Sequence, residues 1–221
     1  MTEHKQLSLT HLMRRPAVVS GAPPLLMMLH GIGSNERDLL GLAPYLDPRF
    51  LIVSLRAPYP YGPDGYSWFE IGRTPKGIVI EPAQADASRK QIIQCIAAAV
   101  TAYAADAKRV YLMGFSQGAM MSAWVALTRP DMVAGAVLMS GGMQPEMLPT
   151  IAPKQQIAGK PFLAIHGTRD QQLPIAVGHA SRDILASLPV DLTYREYPMG
   201  HEVNQQSLAD VVAWLSARLS S

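Results

Sequence analysis

Length and composition indicate a globular protein with a substantial core. The chain has 221 residues, the size of one typical domain or slightly more, and 48% of them are hydrophobic against 16% charged. This balance excludes an intrinsically disordered chain. Lys and Arg number 19 against 17 Asp and Glu, and the resulting net charge of +2 involves no basic cluster. Nucleic acid is therefore not an expected partner.

Cysteine content and the N-terminal residues bear on the compartment. A single cysteine cannot form an internal disulfide, so the fold does not require an oxidising environment. No run reaches the ~18 apolar residues that a membrane-spanning helix needs. Residues 1–10, MTEHKQLSLT, lack the apolar region of a secretory signal. We expect a cytoplasmic protein with no stable membrane insertion.

Short apolar runs alternate along the chain with longer segments of helical periodicity. The apolar runs predict strands that are buried on both faces, as in a parallel sheet. They are Pro24–Leu29, Phe50–Leu55, Arg109–Met113, Val133–Met139, Phe162–Ile165 and Asp191–Tyr197. The predicted helices are Asp86–Ala104, Ala119–Thr128, Ile175–Leu188 and Ser207–Leu219. This order predicts an α/β fold with a mostly parallel central sheet and helices on both faces, formed by residues 1–221 as a single domain.

One connection departs from this alternation. The segment Tyr59–Ile80 contains a third of the aromatic residues of the chain, interspersed with glycine and proline. A connection of this length in a compact domain is usually functional or has local structure of its own.

The pentapeptide Gly114–Phe115–Ser116–Gln117–Gly118 has the pattern G-x-S-x-G and lies between a predicted strand and a predicted helix. In a nucleophile elbow, the serine occupies a strained strand-to-helix turn that projects Oγ above the sheet. Glycine on either side of the serine relieves the crowding between strand and helix. The pattern therefore predicts a nucleophilic serine at 116, the alternative being an ordinary serine in a glycine-rich turn.

A serine hydroxyl needs an adjacent base, which in turn needs an orienting acid. In folds that carry a nucleophile elbow, the order of the three residues along the chain is serine, acid, histidine. His201 follows the last predicted strand and is the predicted base. His166, at a strand end, is expected to be structural, and His179, in a helix, is expected to be solvated. Asp170 follows the preceding strand, at the sheet edge where open α/β sheets place their sites. Weaker acidic candidates lie in helices, at a strand start or beside the base: Asp183, Asp210, Asp191 and Glu202.

Acyl transfer also requires hydrogen-bond donors for the developing oxyanion. One donor is expected from the backbone N–H of Gln117, the residue after the nucleophile. The other is expected from the loop LHGIGSN at 29–35, where we assign the N–H of Ile32. Glycines in this loop allow a close approach to substrate.

Together these segments resemble the carboxylesterase, phospholipase and acyl-protein thioesterase family of α/β-hydrolases. The matching motifs occur in family order over most of the chain. They are LHGIGSNERDLLGLAPYL at 29–46, RAP at 56–58, SWFEI at 67–71, GFSQGA at 114–119, SGG at 140–142, HGTRDQQLP at 166–174 and GHEV at 200–203. The resemblance implies a hydrolase of carboxylic esters or thioesters with Ser116, Asp170 and His201 as its triad and Ile32 and Gln117 in its oxyanion hole.

Several expectations about the substrate follow. Trp68 and Phe69 are expected to line an acyl-binding wall, with structural packing as an equal alternative. The segment Met143–Lys160 is short and proline-rich, so no large lid domain is expected. We expect a carboxylesterase for short- to medium-chain acyl esters, without metal or other cofactor. The alternatives are an acyl-protein thioesterase, a lysophospholipase or a non-catalytic ligand-binding module. Pairing as a homodimer is suggested by analogy alone.

Overall fold

The computed structural model describes residues 7–74 and 77–219 and has the predicted α/β architecture. Residues 1–6, which form part of the segment expected to lack a secretory signal, lie outside the described residues, as do residues 75–76 of the aromatic-rich connection and residues 220–221. The strands are β1 (His11–Arg14), β2 (Leu25–Leu29), β3 (Leu51–Leu55), β4 (Tyr59–Pro60), β5 (Tyr66–Ser67), β6 (Ile71–Thr74), β7 (Gly77–Ile80), β8 (Val110–Phe115), β9 (Gly135–Met139), β10 (Pro161–Gly167) and β11 (Asp191–Tyr197). The α-helices are α1 (Pro82–Ala102), α2 (Gln117–Thr128), α3 (Lys154–Ile157), α4 (Ile175–Ala186) and α5 (Gln205–Ala217).

Seven of these strands form the central sheet, in the order β1-β3-β2-β8-β9-β10-β11. Every neighbouring pair is parallel except β1 and β3, which run antiparallel. Strand β1 was not among the predicted strands. It has only four residues and gains its place by pairing with Ile52–Leu55, about 40 residues further along the chain, a partner that no local pattern indicates.

Strands β2, β3, β8, β9 and β10 are buried on both faces because two separate cores pack against them. The edge strand β11, which was also predicted to be buried, is half-buried or exposed at all but its last residue, because it has a neighbouring strand on one side only. Leu25, Met27 and Leu29 face the core formed with α1, α2 and α4, whereas Leu26 and Met28 face the core formed with α5 and the 3₁₀ turn Leu39–Tyr45. All five residues of β2 are fully buried. Apolar residues on both faces explain why the strands read as continuous apolar runs rather than as alternating ones.

The observed element boundaries differ from the predicted ones near the carboxyl edge of the sheet. Strand β8 continues through Gly114 to Phe115, and β10 continues through Gly167, because in-register neighbours keep pairing past the glycine. Helix α2 begins at Gln117, directly after Ser116. Strand, serine and helix therefore follow one another without an intervening loop.

The two irregular connections have small structures of their own. The segment 59–80 forms two antiparallel hairpins, β4 with β5 and β6 with β7, and an isolated bridge joins Tyr66 to Ser34. Between β9 and β10 lie a 3₁₀ turn, Pro145–Thr150, and the four-residue α3, so the expectation of no large lid domain is confirmed. Among the described residues, no helix combines the length and the hydrophobicity needed to span a membrane.

Candidate active site

Ser116 occupies a strained turn between β8 and α2. Its backbone has φ 52° and ψ −116°, a conformation that is rare for residues other than glycine. The strand and helix meet so closely that a Cβ at Gly114 would lie 2.1 Å from the carbonyl oxygen of Gly118. A Cβ at Gly118 would lie 1.9 Å from the carbonyl oxygen of Leu29. Only glycine fits at these two positions, and the geometry is that of a nucleophile elbow.

The elbow borders a largely apolar cavity of about 870 Å³. Its apolar lining comes from the aromatic-rich connection, from α2 and from the region that follows β10. These residues include Phe69, Ile71, Ile80, Met120, Leu173 and Val177. Phe69 borders the cavity as expected. Trp68 does not line it: the indole is fully buried in the core, which is the packing alternative for this residue.

Asp170 and His201 form a direct hydrogen bond at the carboxyl edge of the sheet. The Nδ1–H of His201 donates to Oδ2 of Asp170 at 2.6 Å, and the carboxylate is fully buried. The other carboxylate oxygen, Oδ1, accepts from the backbone N–H of Gln172 at 2.9 Å and of Leu173 at 2.8 Å. A buried carboxylate held at both oxygens fixes the tautomer and the orientation of the imidazole, as the acid of a catalytic triad does.

The His201 ring lies beside the elbow. Its centroid is 4.8 Å from that of Phe115, the residue directly before Ser116. Within residues 7–74 and 77–219, no hydrogen bond joins Ser116 Oγ to His201. Hydrogen bonds between nucleophile and base are often long in unliganded enzymes and shorten when substrate binds.

The other two histidines that follow Ser116 lie elsewhere. His166 is buried and its Nε2–H donates to the carbonyl oxygen of Leu173 at 2.8 Å, with Oδ2 of Asp170 at 3.7 Å. His179 pairs with Glu196 at 2.7 Å on the partly exposed face of α4. His166 therefore supports the loop that carries the acid, and His179 is a surface residue.

Two backbone N–H groups beside Ser116 are available to a ligand. Ile32 and Gln117 both border the cavity, and within the described part of the chain neither donates its N–H to a hydrogen bond. A Cβ at Gly31 would lie 3.2 Å from Phe115 Cδ1 and 3.4 Å from Ser116 Cβ, so the Ile32 loop runs directly past the serine. These two N–H groups can act as oxyanion donors.

The loop with Ile32 is held by the buried side chain of His30. Nε2 of His30 accepts from the N–H of Ala57 at 3.0 Å, and its Nδ1–H donates to the carbonyl oxygen of Gly31 at 2.7 Å. Burial lowers the pKa of His30, outweighing the backbone hydrogen bond, so the ring is held neutral. A neutral ring is required here because Nε2 must be free to accept.

A buried ion pair that sequence reasoning missed anchors the far end of the same loop. Arg56 donates through Nε and Nη2 to the two carboxylate oxygens of Glu36, at 2.6 Å each, and the Glu36 side chain is 2% exposed. Burial raises the pKa of this carboxyl, but the hydrogen bonds from Arg56, a backbone hydrogen bond and the positive charges of Arg56 and Arg37 together hold the pKa below its usual range. The residues are 20 apart in sequence, and no local pattern marks them as partners.

Within the described residues, no three His, Cys, Asp or Glu side chains lie close enough together to hold a metal ion.

Comparison with known proteins places the chain in a family. The phospholipase/carboxylesterase family model matches residues 15–219. A probable carboxylesterase of Arabidopsis thaliana is 25% identical over 216 residues, covering 91% of this chain and 81% of that protein. An acyl-protein thioesterase 1 of Gibberella zeae is 32% identical over 119 residues, about half of each chain (51% and 49%). A carboxylesterase from Mesorhizobium loti has the same fold, with a TM-score of 0.83 at 23% identity over 97% of this chain and 98% of that one. The chain belongs to the phospholipase/carboxylesterase family of α/β-hydrolases.

Proposed function

We propose that the protein hydrolyses carboxylic esters with short- to medium-chain acyl groups through a Ser116–His201–Asp170 triad and an acyl-enzyme intermediate. Family membership and relatives named as carboxylesterases support ester hydrolysis as the reaction class. The triad is inferred from the geometry of Ser116, Asp170 and His201, and the substrate from the residues that line the cavity.

The reaction proceeds in two halves. Ser116 Oγ attacks the acyl carbonyl carbon as His201 takes its proton, and the N–H groups of Ile32 and Gln117 stabilise the oxyanion. His201 then gives that proton to the leaving alcohol as the ester C–O bond breaks. Water attacks the acyl-enzyme with His201 again as base, releasing the acid and restoring Ser116. Asp170 stabilises the imidazolium in both halves.

The hydrogen bond between His201 and Asp170 carries this proposal. An imidazole whose Nδ1–H is held at 2.6 Å by a fully buried carboxylate presents Nε2 as a base. Its ring contacts the residue before Ser116, and a serine at φ 52° in a strand-to-helix turn is typical of an enzyme nucleophile.

The lining of the cavity supports an uncharged, apolar acyl group. Besides apolar side chains it includes the polar Gln144, Gln171 and Gln172, and Glu146 is its one ionisable side chain among the described residues. No Lys or Arg of the described chain lines the cavity, so a carboxylate or phosphate on the acyl group would meet no counter-ion there.

Acyl thioesters are the second candidate substrates. The acyl-protein thioesterase of Gibberella zeae is 32% identical to this chain over the segment they share, whereas the probable carboxylesterase of Arabidopsis thaliana is 25% identical. The same triad cleaves both bond types, because the thiolate leaves more easily than an alkoxide. The choice between them therefore depends on binding rather than on the catalytic groups.

Initial rates on p-nitrophenyl esters from C2 to C16, with an acyl thioester alongside, test the proposal. Short esters should react fastest, and Ser116→Ala should lower kcat by roughly 10⁴-fold or more. Faster turnover of long esters or of the thioester would favour deacylation of lipids or proteins. No turnover of any substrate, or full activity in Ser116→Ala, would contradict the proposal; the latter result is expected of a non-catalytic binding module.

A further inference from the structure

The residues Tyr66–Phe69, here called the bridging segment, contact both sides of the oxyanion hole. We propose that this segment fixes the separation of the Ile32 and Gln117 N–H groups, with Trp68 and the Gln117 side chain as positioning residues. This inference rests on the proposed function, and it assigns to Trp68 a role in place of the substrate contact expected from sequence.

Three hydrogen bonds tie the bridging segment to the loop that carries Ile32. The indole Nε1–H of Trp68 donates to the carbonyl oxygen of His30 at 2.9 Å. The N–H of Gly33 donates to the carbonyl oxygen of Tyr66 at 2.9 Å, and the N–H of Tyr66 donates to the carbonyl oxygen of Ser34 at 2.8 Å. The bonded loop residues lie on both sides of Ile32. The direction of the Ile32 N–H is therefore set by contacts with the bridging segment.

Two further hydrogen bonds tie the same segment to the elbow. Oε1 of Gln117 accepts from the backbone N–H of Trp68 at 2.7 Å, and its Nε2–H donates to the carbonyl oxygen of Phe69 at 2.7 Å. Gln117 is 3% exposed, so water cannot replace these bonds. The backbone of Gln117 supplies one oxyanion donor while its side chain holds the segment that positions the other.

The bridging segment is itself anchored from the outside. Ser88 of α1 donates to the carbonyl oxygen of Trp68, and the Arg56 guanidinium lies 4.7 Å above the centre of the Tyr66 ring. The backbone N–H, the carbonyl and the indole N–H of Trp68 are thus each bonded to a different element. Trp68 therefore holds these elements in fixed positions relative to one another, and none of these three polar groups is left to bind a substrate.

The expected consequence is a selective effect on the transition state. Oxyanion donors act because they are already aimed at the developing charge, and misplacement by a fraction of an ångström weakens them. Loss of either link should lower kcat without preventing the acyl group from entering the cavity. It should also lower the affinity for ligands that place an oxyanion in the oxyanion hole.

The test compares two variants. Trp68→Phe removes the indole hydrogen bond, the side-chain link to the Ile32 loop, and leaves the two backbone bonds of Tyr66 in place. Gln117→Met removes both hydrogen bonds to the elbow at similar side-chain volume. The readouts are kcat on p-nitrophenyl butyrate, the inhibition constant of an alkyl trifluoromethyl ketone, and the dissociation constant of the matching alkyl ether. The ketone adds to the serine and forms an oxyanion, whereas the ether only fills the cavity. We expect kcat and ketone affinity each to fall about 10- to 100-fold, with ether affinity within about threefold of wild type.

Trp124→Phe is the matched control. Trp124 is also buried, at 5% exposure, and its indole N–H donates to Thr150 Oγ1 at 2.6 Å. This hydrogen bond involves neither the Ile32 loop nor the bridging segment. This variant also loses an indole hydrogen bond, here a partly buried one, and should keep wild-type kcat and ketone affinity.

Folded Trp68→Phe and Gln117→Met proteins with kcat and ketone affinity near wild type would overturn the inference. An equal loss of both in Trp124→Phe would also overturn it, because the effect would then reflect general packing. If Trp68→Phe does not fold, Gln117→Met decides, since Met fills the space of the amide. A wild-type protein without turnover would overturn the proposed function as well, whereas an active wild type with unaffected variants overturns this inference alone.

Discussion

The two sides of the candidate site are held in place by different forces. On the elbow side, β8 and α2 approach so closely that main-chain atoms of Gly118 and Leu29 occupy the space that a Cβ on Gly114 or Gly118 would need. On the side of the Ile32 loop, buried polar side chains, namely His30, Glu36 and Trp68, bond to the main chain or to a charged partner. Steric contact fixes Ser116, and directed hydrogen bonds fix the Ile32 loop.

This difference predicts how each side responds to substitution. A close-packed main chain tolerates no added atom, whereas a hydrogen-bonded loop tolerates changes in shape and is sensitive to loss of a donor, an acceptor or a charge state. Stability should therefore depend on volume at the elbow and on polarity and pH at the loop.

The largest effect on stability is expected from Gly118→Ala. Its Cβ would lie 1.9 Å from the Leu29 carbonyl oxygen, so strand and helix would have to separate. We expect the free energy of unfolding to fall by about 3 kcal/mol or more, measured by urea denaturation. The control is Gly41→Ala, where an added Cβ meets no atom within 4 Å. Equal stability of the two variants would show that close packing at the elbow is not what fixes Ser116.

A smaller effect is expected when the ion pair on the loop side is broken. Glu36→Gln keeps the shape of the side chain but removes the negative charge of Glu36 from beside the partly buried Arg56 guanidinium. We expect a loss of about 2 kcal/mol in the free energy of unfolding.

Asp131→Asn provides the comparison for that variant. Asp131 pairs with Arg129 at 2.7 Å, with side-chain exposures of 62% and 42%. An exposed pair of this kind contributes less than about 1 kcal/mol. If Glu36→Gln cost no more than Asp131→Asn, burial of the loop-side pair would not matter for stability.

The same division explains what could be read from the sequence. The elbow is encoded in five consecutive residues, and Asp170 and His201 follow consecutive strands, so chain order was enough to predict that they would meet. The role of Trp68 depends on bonds to His30 and Gln117, which lie 38 and 49 residues away, and no spacing rule indicates them. Strand β1 was missed for the same reason, since its four residues become a strand only against β3. Local geometry was predictable, and contacts between distant polar groups were not.

The smallest expected effect is a pH dependence of stability that arises on the side of the Ile32 loop and not at the elbow. His30 must be neutral to accept from the Ala57 N–H, and burial lowers its pKa below the ordinary value of about 6.5. As pH falls below about 6.5, His30 takes up its proton at a higher pH in the unfolded state than in the folded state, so stability falls with pH, with a slope of at most about 1.4 kcal/mol per pH unit. His30→Gln can accept the same N–H without titrating, and should remove this part of the slope below pH 6.5. His179→Gln, which removes a surface imidazole, is the control. An unchanged slope in His30→Gln would mean that the loop is not held by a neutral imidazole, and the contrast between its polar anchors and the steric elbow would be weakened.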